Sequence, residues 1–160
     1  MQDRGEDGVA GLADVVRSVV EAHRHERGPL LVILQDLQHR LRHVPADAVP
    51  LIAAELNLSR ADVHGVLSFY HDLRDQPVGR TIVQVCRAEA CQAVGAEALV
   101  SAVEDEFGMK VGETTADGSL TLDQVFCLGN CALGPSILVD GRVHGRVRPE
   151  DVAALAKGQA

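Results

Sequence analysis

Tryptophan is absent, and three Phe and one Tyr hold aromatics to 2% of the 160 residues, so any core must be aliphatic. No apolar run approaches the roughly 18 residues that a membrane span needs. The opening MQDRGEDGVAG lacks the basic and apolar regions of a secretory signal. The expected location is therefore the cytoplasm, where disulfides are uncommon. Basic residues are also scarce, with 15 Lys and Arg against 23 Asp and Glu, a formal charge of -8. That balance disfavours nucleic acid or an anionic membrane surface as the main partner. What is present is Val, Leu and Ala, within a hydrophobic content of 46%. Such a chain folds, and its length suits one ordinary domain or two small ones.

The first half reads as helical. After an expected flexible tail over 1–8, Leu12, Val16, Val19 and Val20 recur at helical spacing within Gly11 to His25. Pro29 suits the first position of a second helix, whose apolar face is Leu30, Ile33, Leu34, Leu37 and Leu41. Asp47 can cap a third helix with Val49, Ile52, Ala53 and Leu56 inward. Ser59 with Asp62 forms an acidic capping box for a fourth helix that runs to about Tyr70, and Leu58 can staple against Val63. The expectation is a helical bundle over 9–73. IAAELNLSRADVHGVLSFY could be a DNA-binding helix-turn-helix, but Arg60 and His64 are its only plausible contacts, so a structural helix pair is the better reading. The histidines, among them His23, His25, His39 and His43, share no ligand spacing and read as solvated or structural side chains.

Arg74 to Arg80, with its Pro and Gly, marks a boundary. TIVQVC, Thr81 to Cys86, is a β-branched strand. A helix from Cys91, with Val94, Ala98, Leu99, Ala102, Val103 and Phe107 inward, stops at Gly108. SLTLDQVF follows the Asp117-Gly118 turn, Asp140-Gly141 joins a hairpin, and Pro149 opens a last helix. The order β-α-β-β-β-α over 80–160 makes a small α/β module, and the chain as a whole is expected to be α+β.

All four cysteines lie in this module, as Cys86-x4-Cys91, 35 intervening residues, then Cys127-x3-Cys131. Two close pairs so far apart must be gathered by the fold. Paired thiols in a cytosolic chain point to ligands. An iron-sulfur cluster accepts wide loops such as Cys-x4-Cys, a structural zinc usually prefers tighter knuckles, and four unrelated buried thiols would be inert. Cys91 at a helix start should have a lowered pKa, and the backbone N–H groups of Gly129, Asn130 and Gly134 could donate to cluster sulfurs.

VCRAEACQAVGA, then GETTADGSLTLDQVFCLGNCALGPSILVDGRVHG, resembles the thioredoxin-like [2Fe-2S] ferredoxin family. This family includes the small iron-sulfur subunit of respiratory complex I, its counterpart in NAD-linked hydrogenases, and the gamma subunit of NAD-dependent molybdenum formate dehydrogenases. The resemblance extends into the helical half through VPADAVPLIAAELNLSRADVHGVLSFYHDL. It implies a helical bundle followed by a thioredoxin-like α/β domain, and one [2Fe-2S] cluster on Cys86, Cys91, Cys127 and Cys131. It also implies FMN and NAD on a partner beta-type subunit, and nothing here contradicts that: this chain has neither G-x-G-x-x-G after a strand nor a P-loop. Arg87-Ala88-Glu89-Ala90 with Gln92 most resembles the formate dehydrogenase gamma subunits. That choice implies a molybdenum catalytic alpha-type subunit in the same complex, a non-catalytic electron-transfer role for this chain, and no nucleic acid or membrane partner. The hydrogenase or complex I subunit is the alternative. A zinc-stapled scaffold and a DNA-binding iron-sulfur sensor are more distant ones.

Overall fold

The computed structural model describes residues 6–158, with side chains from residue 11 onward. It divides into two compact units, Met1–Pro77 and Val78–Ala160.

The first unit contains helices α1 (Glu6–His23), α2 (Pro29–Leu41), α3 (Ala48–Leu56) and α4 (Arg60–Phe69). Their apolar faces meet in one aliphatic core. Val16, Val19 and Val20 come from α1, Ile33, Leu34 and Leu37 from α2, Ile52 and Ala53 from α3, and Val63 and Leu67 from α4. Truncating one of the fully buried leucines to Ala would cost about 2–5 kcal/mol through lost transfer energy and the cavity left behind. Gln38 fastens the end of the unit to α2. Its Nε2 donates to the Asp72 carbonyl at 2.8 Å, and its Oε1 accepts from the Arg74 N–H at 2.6 Å.

Four local expectations are corrected by the structure. α1 begins at Glu6, so helix occupies residues 6–8 of the expected tail, while residues 1–5 lie outside those described. It also ends at His23 rather than His25. Asp47 precedes α3 in an αR conformation and makes no side-chain cap. Leu58 is 39% exposed and not stapled inward. The capping box at Ser59 forms as read: its Oγ accepts from Asp62 N–H at 3.0 Å, and Asp62 Oδ2 accepts from Ser59 N–H at 3.1 Å.

In the second unit, strands β1 (Thr81–Cys86), β2 (Leu120–Val125), β3 (Ser136–Val139) and β4 (Arg142–Gly145) form a sheet of order β2-β1-β3-β4. β1 and β2 are parallel, and the other two pairings are antiparallel. A parallel pair needs a long crossover, supplied here by α5 (Glu89–Ala93) and α6 (Ala96–Phe107). The expected single helix is thus broken, because Gly95 between the two takes a left-handed φ of 99°. The break turns Val94 outward to 54% exposure and leaves Ala98 exposed as well. Ala96, Leu99, Val100 and Val103 are the buried face of α6 instead. Asp140 and Gly141 both have positive φ, as the two-residue hairpin turn requires. The last helix, α7 (Pro149–Ala156), buries Val152 in the core built on Val83, Val85, Leu122 and Ile137.

His23, at the end of α1, is half-buried between two carboxylates. Nδ1 lies 2.8 Å from Glu26 and Nε2 lies 3.0 Å from Asp36, which is paired in turn with Arg40. Glu26 first and Asp36 second hold the imidazole pKa above its ordinary value. The protonated ring can donate to both, so its stabilisation is complete below the unfolded pKa of about 6.5 and is lost as pH rises through the higher folded value. Helical circular dichroism during thermal unfolding is therefore expected to show a stability that is full below about pH 6.5 and falls as pH rises above it. His23→Gln should flatten that dependence.

Candidate metal centre

Both cysteine pairs lie at the ends of the parallel strands. Cys86 is the last residue of β1 and stands opposite Val125 in register, and the Arg87 N–H extends the ladder to the Val125 carbonyl at 2.9 Å. The chain then turns into α5, whose third residue is Cys91. Cys86 and Cys91 are buried beside Ala96 and are flanked by Ala88, Val125 and Leu128. The second pair follows β2 and is exposed. Cys127 has a left-handed φ of 84°, and Cys131 opens a 3-10 turn, Cys131–Leu133. The Sγ atoms of Cys127 and Cys131 are 3.8 Å apart, and all four thiols are free.

The backbone N–H groups of Ala88, Cys127 and Leu128 lie near the Cys86 sulfur, and that of Ser136 lies near the Cys91 sulfur. Of the three expected donors, Gly129 gives its N–H to Cys127 Sγ at 3.4 Å, and Gly134 N–H goes to the Cys131 carbonyl. The Asn130 side chain donates to Ser136 Oγ at 3.2 Å. The N–H neighbours of the Cys86 sulfur that the sequence reading missed belong to Cys127 and Leu128. They could not be found without knowing that the first residues after β2 face the end of β1.

The thiols differ electrostatically. Burial raises Cys86, but the Ala88 N–H, the Cys91 thiol and the N–H groups of Cys127 and Leu128 together outweigh that effect and hold its pKa below the ordinary value. Cys91 is raised, by burial and then by the neighbouring Cys86 sulfur, which corrects the expectation of a lowered value at a helix start. A helix of five residues supplies too little dipole to overcome them. Cys131 is raised by Cys127. Cys91 and Cys131, whose ionisation neighbouring sulfurs oppose, are the kind of donors that a positive metal stabilises as thiolates. The arrangement is two pairs rather than one convergent set. Among the described residues no three His, Cys, Asp or Glu side chains meet around a single ion position. Two thiolates on each of two irons is the donor arrangement of a [2Fe-2S] cluster, so the residues present fit that group.

The hairpin also supports the exposed pair. A Cβ on Gly145 would lie 2.6 Å from Asn130 Nδ2 and 2.7 Å from Leu133 Cβ, so β4 touches the second cysteine loop. Arg146 N–H and Ser136 Oγ both donate to the Leu133 carbonyl, at 2.6 and 3.3 Å. Gly145→Ala is expected to push this loop outward and lower the metal bound per chain at unchanged helix content, as measured by metal analysis beside circular dichroism. His144, in β4, belongs to a separate polar cleft with Arg142 and Lys157.

The family model for thioredoxin-like [2Fe-2S] ferredoxins matches residues 16–159. The chain is similar to a subunit of the NADH-quinone oxidoreductase of Pseudomonas aeruginosa, with 38% identity over 148 residues that span 90% of this chain and 89% of that protein. It is 31% identical over 136 residues to NADP-reducing hydrogenase subunit HndA of Solidesulfovibrio fructosivorans, across 85% of this chain and 80% of the relative. The match to NAD-reducing hydrogenase HoxS subunit alpha of Cupriavidus necator, 32% identical, takes in 91% of this chain but 25% of the relative. A chain of the NAD+-reducing [NiFe]-hydrogenase crystal structure in the H2-reduced state shares the fold, with a TM-score of 0.70 and 24% identity over 81% of this chain and 22% of that one. Since the family match runs through both units, the chain belongs to the thioredoxin-like [2Fe-2S] ferredoxin family.

Proposed function

We propose that Cys86, Cys91, Cys127 and Cys131 hold the one [2Fe-2S] cluster of this family member. In this reading the chain passes single electrons inside an NAD(P)H-linked complex of the NADH-quinone oxidoreductase or NAD(P)-reducing hydrogenase type. The observation that carries the ligand assignment is the parallel pairing of β1 with β2, which sets Cys86 opposite Val125, two residues before Cys127, and so brings together pairs that are 35 residues apart. The bound cluster would supply the one-electron chemistry, while the protein places it and tunes it through N–H···S bonds. Exposed Cys127 and Cys131 give electron exchange its shortest path to the surface.

The relatives are named as NADH-quinone oxidoreductase and hydrogenase subunits, so they favour those complexes over the formate dehydrogenase suggested by residues 87–90. Flavin and NAD(H) then belong to a partner subunit, and a molybdenum subunit belongs only to the formate reading. The cytoplasmic place expected from the sequence stays part of this proposal, and no described helix is long and apolar enough to cross a membrane. On the helical unit, an apolar groove of about 860 Å³ is lined by Leu30, Leu56, Leu58, Val66, Phe69 and Tyr70. Phe69 is 73% exposed and packs edge-on to Tyr70 at 5.2 Å, which suits docking of the flavin-binding partner.

Iron and acid-labile sulfide analysis of the anaerobically reconstituted chain is expected to give about two of each, with a paramagnetic signal on one-electron reduction. Values well below that would remove the cluster assignment. Cys127→Ser should weaken or reshape the centre, and His144→Ala should leave its spectrum unchanged. Co-purification with a flavoprotein, followed by identification of the catalytic subunit, separates the parent complexes.

A further inference from the structure

Arg87, the residue after Cys86, lies where four segments meet. Its Nε and Nη2 donate to the two carboxylate oxygens of Glu97 at 2.9 and 2.8 Å, and its Nη1 donates to Gln124 Oε1 at 2.8 Å. Its own carbonyl accepts from Gln92 Nε2 at 2.7 Å. Glu97 stands in the first turn of α6, Gln124 lies on β2, and Gln92 lies in α5 one residue beyond Cys91. The loop between the buried cysteines is thus tied to β2 on one side and to α6 on the other, and it is closed on itself by Gln92.

We propose that Arg87 is a positioning residue for the cluster: its fork between Glu97 and Gln124 fixes the loop that sets Cys86 against Cys91. The proposal rests on the ligand assignment above. An exposed ion pair alone would count for little. Here, however, three guanidinium nitrogens serve three different oxygens in the planar geometry that distinguishes Arg from Lys. A lysine at this position would keep the charge and lose the span. The carboxylate of Glu97 also neutralises the guanidinium beside the centre, so geometry outweighs net charge in what the pair does.

The test uses the full chain, reconstituted anaerobically, with Arg87→Lys, Arg87→Gln and Glu97→Gln. Iron and sulfide content, the paramagnetic spectrum, the midpoint potential and the rate of iron release to a chelator are compared with wild type. Glu97 is exposed, so its isosteric replacement leaves the core intact, and circular dichroism of the metal-free chains checks this. All three variants are expected to release iron about fivefold faster or more, with altered spectra, and Lys should fail to restore wild-type behaviour. A variant that keeps its fold but binds less iron supports the same role. Wild-type release rates in all three would overturn the proposal. So would a fully restored Arg87→Lys in a series where Arg87→Gln and Glu97→Gln shift the potential in opposite directions, since charge alone then accounts for the effects. Cys127→Ser in the same assay keeps the premise separate: unchanged iron content and spectra there would remove the ligand assignment and leave the Arg87 rates to be judged as measured.

Discussion

The second unit depends on two cysteine loops being delivered to the same end of one sheet. Cys86 closes β1 and Cys127 follows β2, and their meeting requires two strands, far apart in the chain, to end side by side and point the same way. The parallel pairing of β1 with β2 meets the requirement. Everything between them serves that pairing: α5 and α6 make the crossover, and Leu99, Val100 and Val103 bury it against the sheet. β3 and β4 then cover the other edge of β1, and Gly145 lets the end of the hairpin approach the second loop. The site is a consequence of strand order rather than of any local motif.

The four sulfurs are unlike one another. Two are enclosed by Ala88, Ala96, Val125 and Leu128, and two are open to solvent. Neighbouring sulfurs oppose the ionisation of Cys91 and Cys131, an opposition that bound metal would relieve. In the proposed reading this asymmetry would join two demands: a sheltered side to hold the centre and a bare side for electrons to cross.

Much of this was legible in the sequence because it is periodic or punctuated. The four amphipathic helices, the capping box at Ser59, the strand TIVQVC and the Asp140-Gly141 turn each follow from local pattern, and each is present in the structure. The spacing of the cysteines proclaimed a gathered site, and the resemblance named the cofactor. What stayed hidden is tertiary. Gly95 breaks a helix that apolar spacing continues through, because a left-handed residue is needed to turn α5 into α6. Cys91 looked activated by a helix start, but burial and the adjacent Cys86 decide its ionisation. Gly129 is a local donor to sulfur and could be read, whereas the approach of Leu128 to the Cys86 sulfur depends on strand pairing and could not. The preference for formate dehydrogenase rested on a few side chains between two cysteines. Similarity along nearly the whole chain carries more weight, and it points to other complexes.

The in-register alignment of Cys86 with Val125 has one more implication. A slip of one residue along β2 would carry Cys127 about 3.3 Å, nearly the whole 3.8 Å between its sulfur and that of Cys131. It would also exchange the two faces of the strand. The count of residues between the pairs, by contrast, enters nowhere in that alignment. The crossover could lengthen or shorten at its surface turns while the cysteines stayed where they are, so the yardstick of this centre is a ladder of backbone hydrogen bonds and not a distance along the chain.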